Sequence, residues 1–483
     1  MPLISTTMPS DRNASQTKAW VALGLMVLIV GAFGGTARED LAQVAVLRPL
    51  AALMLIPAIY WFAWDRTKGL RFLLLLVGLL AVWMAVQLVP LPPDIWQNLP
   101  GRAPVANLDV LIGNSDHWRP ISMAPVRSWN ALSSLIVPVT ALLLVVSLQA
   151  KSRMLLWLLA ALGLVNALLG LMQKAAGNGA LHFYRITNEN GPVGLLANEN
   201  HSATFSALSM LVVAYLASEA RKRNDPMWLR FAYPAAYLMM LLVVLVNGSR
   251  AGLVFGFFAV LVSLIMFRPK NGEKSPPSSA QRQGGFAVNK AALTKWVFGI
   301  SAAAIVGLIL IFAFFNDVPA LQQLLTKDPF DDLRTLLFPT ISKMLATFWL
   351  LGVGFGAFKD SYHQFEATEL LMPRYVNHAH NDWMQIVIEG GLPATLILIA
   401  SLIWFAVNVI KMIKARGLLS SAILFWVGCL AIIGAASIVD YPLRTPIFQF
   451  FGIWLLASLA IENFRKGPSD KSLEQRRKIE FAH

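Results

Sequence analysis

The chain has 483 residues, 57% of them hydrophobic and only 14% charged, with a mean hydropathy of +0.60. A soluble domain of that length would carry far more charge, so the composition excludes a soluble globular protein and points to an all-α polytopic membrane protein. The net charge of +14 would suit a nucleic-acid binder if it were gathered in one patch, but it is spread over many short segments between apolar runs, and no nucleic-acid partner is expected.

Runs long enough for a bilayer crossing, which needs ~20 apolar residues, fall at about 19–35, 43–63, 72–90, 131–148, 154–173, 202–218, 229–246, 251–267, 296–315, 383–409, 419–438 and 446–461. They predict about twelve transmembrane helices. Residues 1–18 read as a cytoplasmic N-terminus, in which Arg12 and Lys18 precede the first span as in an uncleaved signal anchor. A transmembrane helical domain follows over 19–462, and 463–483 form a basic cytoplasmic tail. Within the domain, outer loops at 91–130, 174–201 and 316–382 hold enough aromatic and apolar residues to predict short surface helices. The segment 268–295, rich in Pro, Ser, Gly and Lys, reads as a flexible cytoplasmic linker. The stretch 338–358 could pass for a further span. Its Pro339, Lys343 and three glycines at 352, 354 and 356 predict a surface or re-entrant helix instead.

Twelve spans put both termini on one side of the membrane. Taken as cytoplasmic, that side holds 26 of the 40 basic residues and 9 of the 26 acidic ones, the asymmetry that insertion favours. The single cysteine, Cys429, falls in the eleventh run, which excludes an intrachain disulfide and a cysteine-built metal site. No internal repeat is evident.

The basic residues of the two faces differ in kind. Inside, Arg and Lys are equal at 13 each; outside, Arg outnumbers Lys by 10 to 4. Arginine is the residue for bidentate contact with phosphate or carboxylate, so the outer face is expected to hold an oxyanion. Arg250, in "NGSRAGLVFG", stands at the outer start of the eighth span, where unpaired helix N–H groups also favour an anion. Arg185 opens the polar segment "RITNENGPVGLLANENHSATF", which ends with Asn200 and His201 at the start of the sixth span. Its asparagines suit sugar hydroxyls and equally suit turns and caps.

The segment "VNHAHNDWMQIVIEGGLP", 376–393, opens the tenth span. Asn381 or Asp382 is a plausible N-cap, which sets His380 at the positive end of a helix dipole, where the neutral imidazole is favoured and can accept a proton. Glu389 lies seven residues past Asp382 on the same helical face, deep enough to need a cationic partner. Gly390, Gly391 and Pro393 loosen the helix there, as happens where backbone lines a cavity. His378 could ligate zinc with His380, but no third ligand is evident and no metal or other cofactor is expected. Asp440 and Arg444, four residues apart at the outer end of the eleventh span, could pair with each other.

Four stretches in order, "LLANENHSA", "NGSRAG", "DDLRTLLF…LLGVGFGAFKDSY" and "HNDWMQIVIEGGLP", resemble the O-antigen ligase and Wzy-type polysaccharide polymerase superfamily of bacterial membrane glycosyltransferases. His380-Asn381, a nine-residue gap and Gly391 match the ligase pattern, and Arg334 stands where members carry an arginine ahead of the glycine-rich stretch. The resemblance covers roughly 185–445. It implies a GT-C-like fold in the bacterial inner membrane with the active site facing the periplasm. It also implies an inverting, metal-independent transfer from a glycan on undecaprenyl diphosphate to a glycan or lipid acceptor. His380 would be the base, with Arg250, Arg334 and Arg185 on the diphosphate and Asn381, Glu389, His378, Asn200, His201, Asp440 and Arg444 in support. Two departures stand out: Glu199 occupies a position where members often have arginine, and Ala394 one where the ligase pattern has Thr or Gly. A transporter or flippase for an anionic or lipid-linked substrate is the rival reading, and it predicts paired interrupted helices near mid-membrane in both halves of the chain.

Overall fold

The computed structural model describes residues 9–38, 41–177, 179–188, 191–220, 223, 225–267, 333–366, 368 and 376–464. The span expected at 296–315, the linker 268–295, much of the loop 316–382 and all but two residues of the tail lie outside those residues. What is described is mostly helical, and its only strands, Pro90–Leu91 and Arg119–Pro120, pair antiparallel over two residues each. The chain is a multi-pass membrane protein of all-α class. Among the described residues nine helices are long and apolar enough to cross a bilayer: Gln16–Phe33, Ala42–Tyr60, Pro125–Ser147, Ser152–Ala176, Glu199–Ala220, Leu229–Val246, Asp382–Arg416, Ser421–Val439 and Pro446–Phe464. Arg71–Val86 and Arg250–Met266, at 16 and 17 residues, are apolar but span only about 25 Å at 1.5 Å per residue, short of the ~30 Å hydrocarbon core.

The stretch 338–358 differs from its expected form. A helix runs from Leu333 to Phe348 and stops. Gly352, Gly354 and Gly356 then take φ of 79°, 98° and 82°, a left-handed backbone that cannot continue a helix. The segment is therefore a helix followed by a glycine loop.

The chain divides into two compact units. One comprises 1–159, 327–412 and 433–483, the other 160–326 and 413–432. In the first, buried Thr140 and Ser147 hydroxyls donate to Ala51 O and Ala58 O, and the Trp454 indole donates to Ala141 O, tying the apolar helices to one another. A separate core of Leu337, Ile341, Met344, Phe348, Val353, Phe358, Tyr362, Val376, Ala379 and Ile388 anchors the glycine loop and the residues that precede the Asp382–Arg416 helix. In the second unit the centre is Glu199–Ala220, buried from His201 to Ser218. Close approach explains its composition: a Cβ on Gly252 would sit 2.2 Å from Ala203 Cβ, and one on Gly163 2.2 Å from Ser209 Oγ. Small residues here replace the hydrophobic driving force that lipid does not provide.

Candidate functional site

The site in the first unit is built on a break in the Asp382–Arg416 helix. Gly391 stands at φ 62°, ψ −160°, outside helical geometry, and Pro393 has no N–H and crowds the carbonyl four residues before it, that of Glu389. Consecutive carbonyls at the break lose their helical donors, and other segments satisfy them. Val353 N–H donates to Ile388 O (2.9 Å) and Gly354 N–H to Glu389 O (3.0 Å), while Leu392 N–H turns to Leu350 O (2.9 Å). The Gln87 amide donates to Glu389 O (2.9 Å) and Leu351 O (3.1 Å), and its oxygen accepts from Phe355 N–H. Trp83 Nε1 donates to Gly390 O (2.7 Å). Arg102, 1% exposed, donates to the carbonyls of Pro100, Ile121 and Gly352, and burial pushes its guanidinium down to about 10. The glycine loop is thus a plug that restores hydrogen bonds to a severed helix.

Above the break, Asn381 Oδ1 accepts from Met384 N–H at 3.0 Å, capping the helix as expected for one of the two candidate residues. His380 immediately precedes the cap at φ 50°, a left-handed conformation that costs a non-glycine residue about 1–3 kcal/mol and gathers at functional sites. Its Nδ1 is buried and stands 3.3 Å from Asp440 Oδ1, whereas the side chain as a whole keeps 28% exposure. The contact with Asp440 is one of proximity, since this buried Nδ1 makes no hydrogen bond. The Tyr441 ring contacts both histidines, at 4.3 Å from the His378 centroid and 4.9 Å from that of His380.

Arg444 reaches outside its own segment. It donates through Nε to Asp382 Oδ1 (3.3 Å) and through Nη1 to Glu389 Oε2, so one guanidinium joins two carboxylates seven residues apart on one helical face. The partner inferred for buried Glu389 is therefore Arg444. Asp382 also accepts from Leu443 N–H and Ser437 Oγ. Burial opposes the Arg444 cation, but Glu389 and then Asp382 outweigh it, and the guanidinium holds its proton more tightly than an ordinary arginine. With Asp440 counted, this cluster carries more carboxylates than guanidiniums.

The outer arginines are in part structural. Besides Arg102 and Arg444, Arg119 forms a bidentate pair with Asp109 and Arg127 bonds Asp360, while Arg48 donates to Asn130. Arg334 lies in the Leu333–Phe348 helix of the same unit as His380, and its side chain is outside the described ones. In the second unit Arg250 opens its helix behind an N-cap from Ser249, whose Oγ accepts from Gly252 N–H, and Arg185 is exposed. The asparagine-rich segment around Asn200 serves the backbone. Asn198 Oδ1 accepts from Asn200 N–H, Asn188 Oδ1 from Glu199 N–H, and buried Asn247 donates to the carbonyls of Pro192 and Glu199. His201 is 2% exposed inside the central helix. Between a sugar-binding and a capping role, these contacts are those of capping.

The structure brings together His378, His380, Asn381, Glu389, Asp440 and Arg444. Gln87, Trp83, Arg102, Gln385 and Tyr441 join them without having been singled out from sequence; a polar Gln at the end of an apolar run was the one available signal for Gln87. Among the described residues no group of three or more His, Cys, Asp and Glu side chains is gathered so as to hold a metal ion.

Residues 235–399, about a third of the chain, match the family described as O-antigen ligase. The match includes Arg250, Arg334, His380, Glu389 and Gly391, and it leaves out Gln87, Arg102, Asp440 and Arg444. No curated protein matches the chain. Residues 235–399 are thus similar to the O-antigen ligase family, and three of the four motifs read from sequence, those around Arg250, Arg334 and His380, fall within the matched segment.

Proposed function

We propose that the chain transfers a glycan from an undecaprenyl diphosphate donor to an acceptor hydroxyl at the periplasmic face of the bacterial inner membrane, with inversion and without a metal, through twelve spans with both termini cytoplasmic. The observation that carries this reading is the strained His380, its Nδ1 buried against Asp440 and its ring partly exposed. Asp440 holds the imidazole in the tautomer that leaves Nε2 bare. Nε2 takes the acceptor hydroxyl proton as that oxygen bonds to the anomeric carbon. The bond from that carbon to phosphate breaks, and its electron pair leaves with the diphosphate. Arg334, in the same unit as His380, holds the departing group, whose charge grows in the transition state and so gains most from a fixed guanidinium. The acceptor is a second lipid-linked glycan or a lipid; the alanine at 394 favours polymerisation over ligation.

The test is His380→Ala and Asp440→Asn in a strain lacking the protein, reading lipid-linked against transferred glycan. Loss of a base costs ~100-fold or more, with donor binding retained. Product at the wild-type level in His380→Ala would sink the mechanism. Chain length in the deletion strain separates the two activities: single repeat units mark a missing polymerase, and long chains left on the lipid carrier a missing ligase.

A further inference from the structure

His378 lies two residues before the base, and no role follows for it from proton abstraction. Gln385 decides its chemistry. The Gln385 oxygen accepts from Ala379 N–H at 2.9 Å. A backbone N–H can only donate, so the orientation of the amide is determined. Its nitrogen, which can only donate, then faces Glu389 Oε1 at 3.1 Å and His378 Nδ1 at 3.2 Å. One amide hydrogen serves each, and His378 Nδ1 must be the acceptor. A neutral His378 therefore carries its hydrogen on Nε2. Gln385 is itself 0% exposed, and a proton on His378 Nδ1 would set N–H against N–H, so the arrangement admits one tautomer.

His380 is the reverse case. The base proposed above needs its hydrogen on Nδ1, which stands 3.3 Å from Asp440 Oδ1, and an Nε2 that can accept a proton. On that mechanism the two imidazoles that share Tyr441 as a neighbour act as opposite tautomers, one accepting a proton and one offering a hydrogen bond. Glycosyl transfer needs both, because the acceptor oxygen loses a proton while the leaving oxygen gains negative charge. We infer that His378 is a second catalytic residue, donating a hydrogen bond from Nε2 to a phosphate oxygen of the departing diphosphate while His380 removes the proton. This rests on the reading of the cluster as a glycosyl-transfer centre. No proton leaves His378; the hydrogen bond strengthens as the anomeric carbon–oxygen bond breaks and its electron pair moves to phosphate. Gln385 is then a positioning residue, linking this tautomer to the Glu389–Arg444 pair.

Two measurements test the inference on the full-length protein. Histidine-selective nitrogen NMR in lipid nanodiscs, with the His378 signals assigned by their loss in His378→Gln, should show Nδ1 of His378 unprotonated and Nε2 protonated near neutral pH. The opposite tautomer overturns the inference whatever reaction the protein catalyses. In the complemented deletion strain, His378→Ala should lower transfer by about 100-fold, the loss expected for one transition-state donor. His378→Gln, whose amide N–H can stand near the original Nε2–H, should recover most of that loss. His380→Gln should recover none, because an amide nitrogen cannot take a proton. Equal activity in the two His378 variants, high or low, overturns the donor role. Full activity in His380→Gln would instead refute the base, and with it the underlying reading.

Discussion

Replacing Gly391 by alanine tests whether the break in the Asp382–Arg416 helix is specified by its backbone. At φ 62°, ψ −160° a side chain costs about 1–3 kcal/mol in backbone conformation alone. The added Cβ would also lie 2.6 Å from Leu350 O, 2.6 Å from Leu351 C and 2.7 Å from Gly352 N. All three are main-chain atoms that no rotamer change can move. Reaching an ordinary contact requires a shift of roughly 1 Å between the two segments, enough to lose the Leu392 N–H to Leu350 O and Val353 N–H to Ile388 O bonds at about 1 kcal/mol each. The sum is about 3–5 kcal/mol. At the few degrees per kcal/mol typical of large domains, this lowers the melting temperature by roughly 10 °C. Thermal unfolding of the purified protein in detergent measures it, with Gly78→Ala as control, since a Cβ there meets nothing within 4 Å. The control should melt within ~2 °C of wild type. A Gly391→Ala protein that melts with the wild type and transfers glycan normally would refute the account of the break.

Three further outcomes follow from the same contacts. Gln87→Ala removes the partners of Glu389 O, Leu351 O and Phe355 N–H together, and should cost about 2–4 kcal/mol in the same unfolding assay; wild-type stability would mean that the glycine loop holds the break alone. Arg444→Met leaves Asp382 and Glu389 buried without their shared cation and should destabilise by ~3–5 kcal/mol. Adding Glu389→Gln should recover part of that loss, and no recovery would argue against a shared ion pair. Arg250→Lys keeps the charge and loses the planar fork; if Arg250 grips diphosphate, lipid-linked glycan should accumulate and transfer fall about tenfold, whereas unchanged turnover would remove it from that role.

Much of the fold was legible because lipid imposes a simple code. Helices such as Ala42–Tyr60, Leu229–Val246 and Pro446–Phe464 announce themselves by long, predominantly apolar runs, since a helix satisfies its own backbone in hydrocarbon. The histidine segment was legible too. A cap, two histidines and a carboxylate seven residues past Asp382 are local features, and their spacing places Glu389 below Asp382 before any neighbour is known. What Glu389 binds is another matter: Arg444 is 55 positions away, and its nearest acid in sequence, Asp440, faces His380 instead. The glycine loop shows the same division. Pro339, Lys343 and its three glycines argued against a further span, but could not say that Val353 and Gly354 would replace the donors lost at Gly391 and Pro393.

Periodicity and composition by themselves determined an all-helical membrane protein, the polar start of the long Asp382–Arg416 helix, and the candidate base at its cap, because these depend on residues within a turn or two of one another. Only the tertiary structure decided which carboxylate faces His380, which cation serves Glu389, and which amide sets the tautomer of His378. Those choices depend on donors and acceptors from distant segments competing for one another, and that competition is resolved by packing rather than by spacing along the chain.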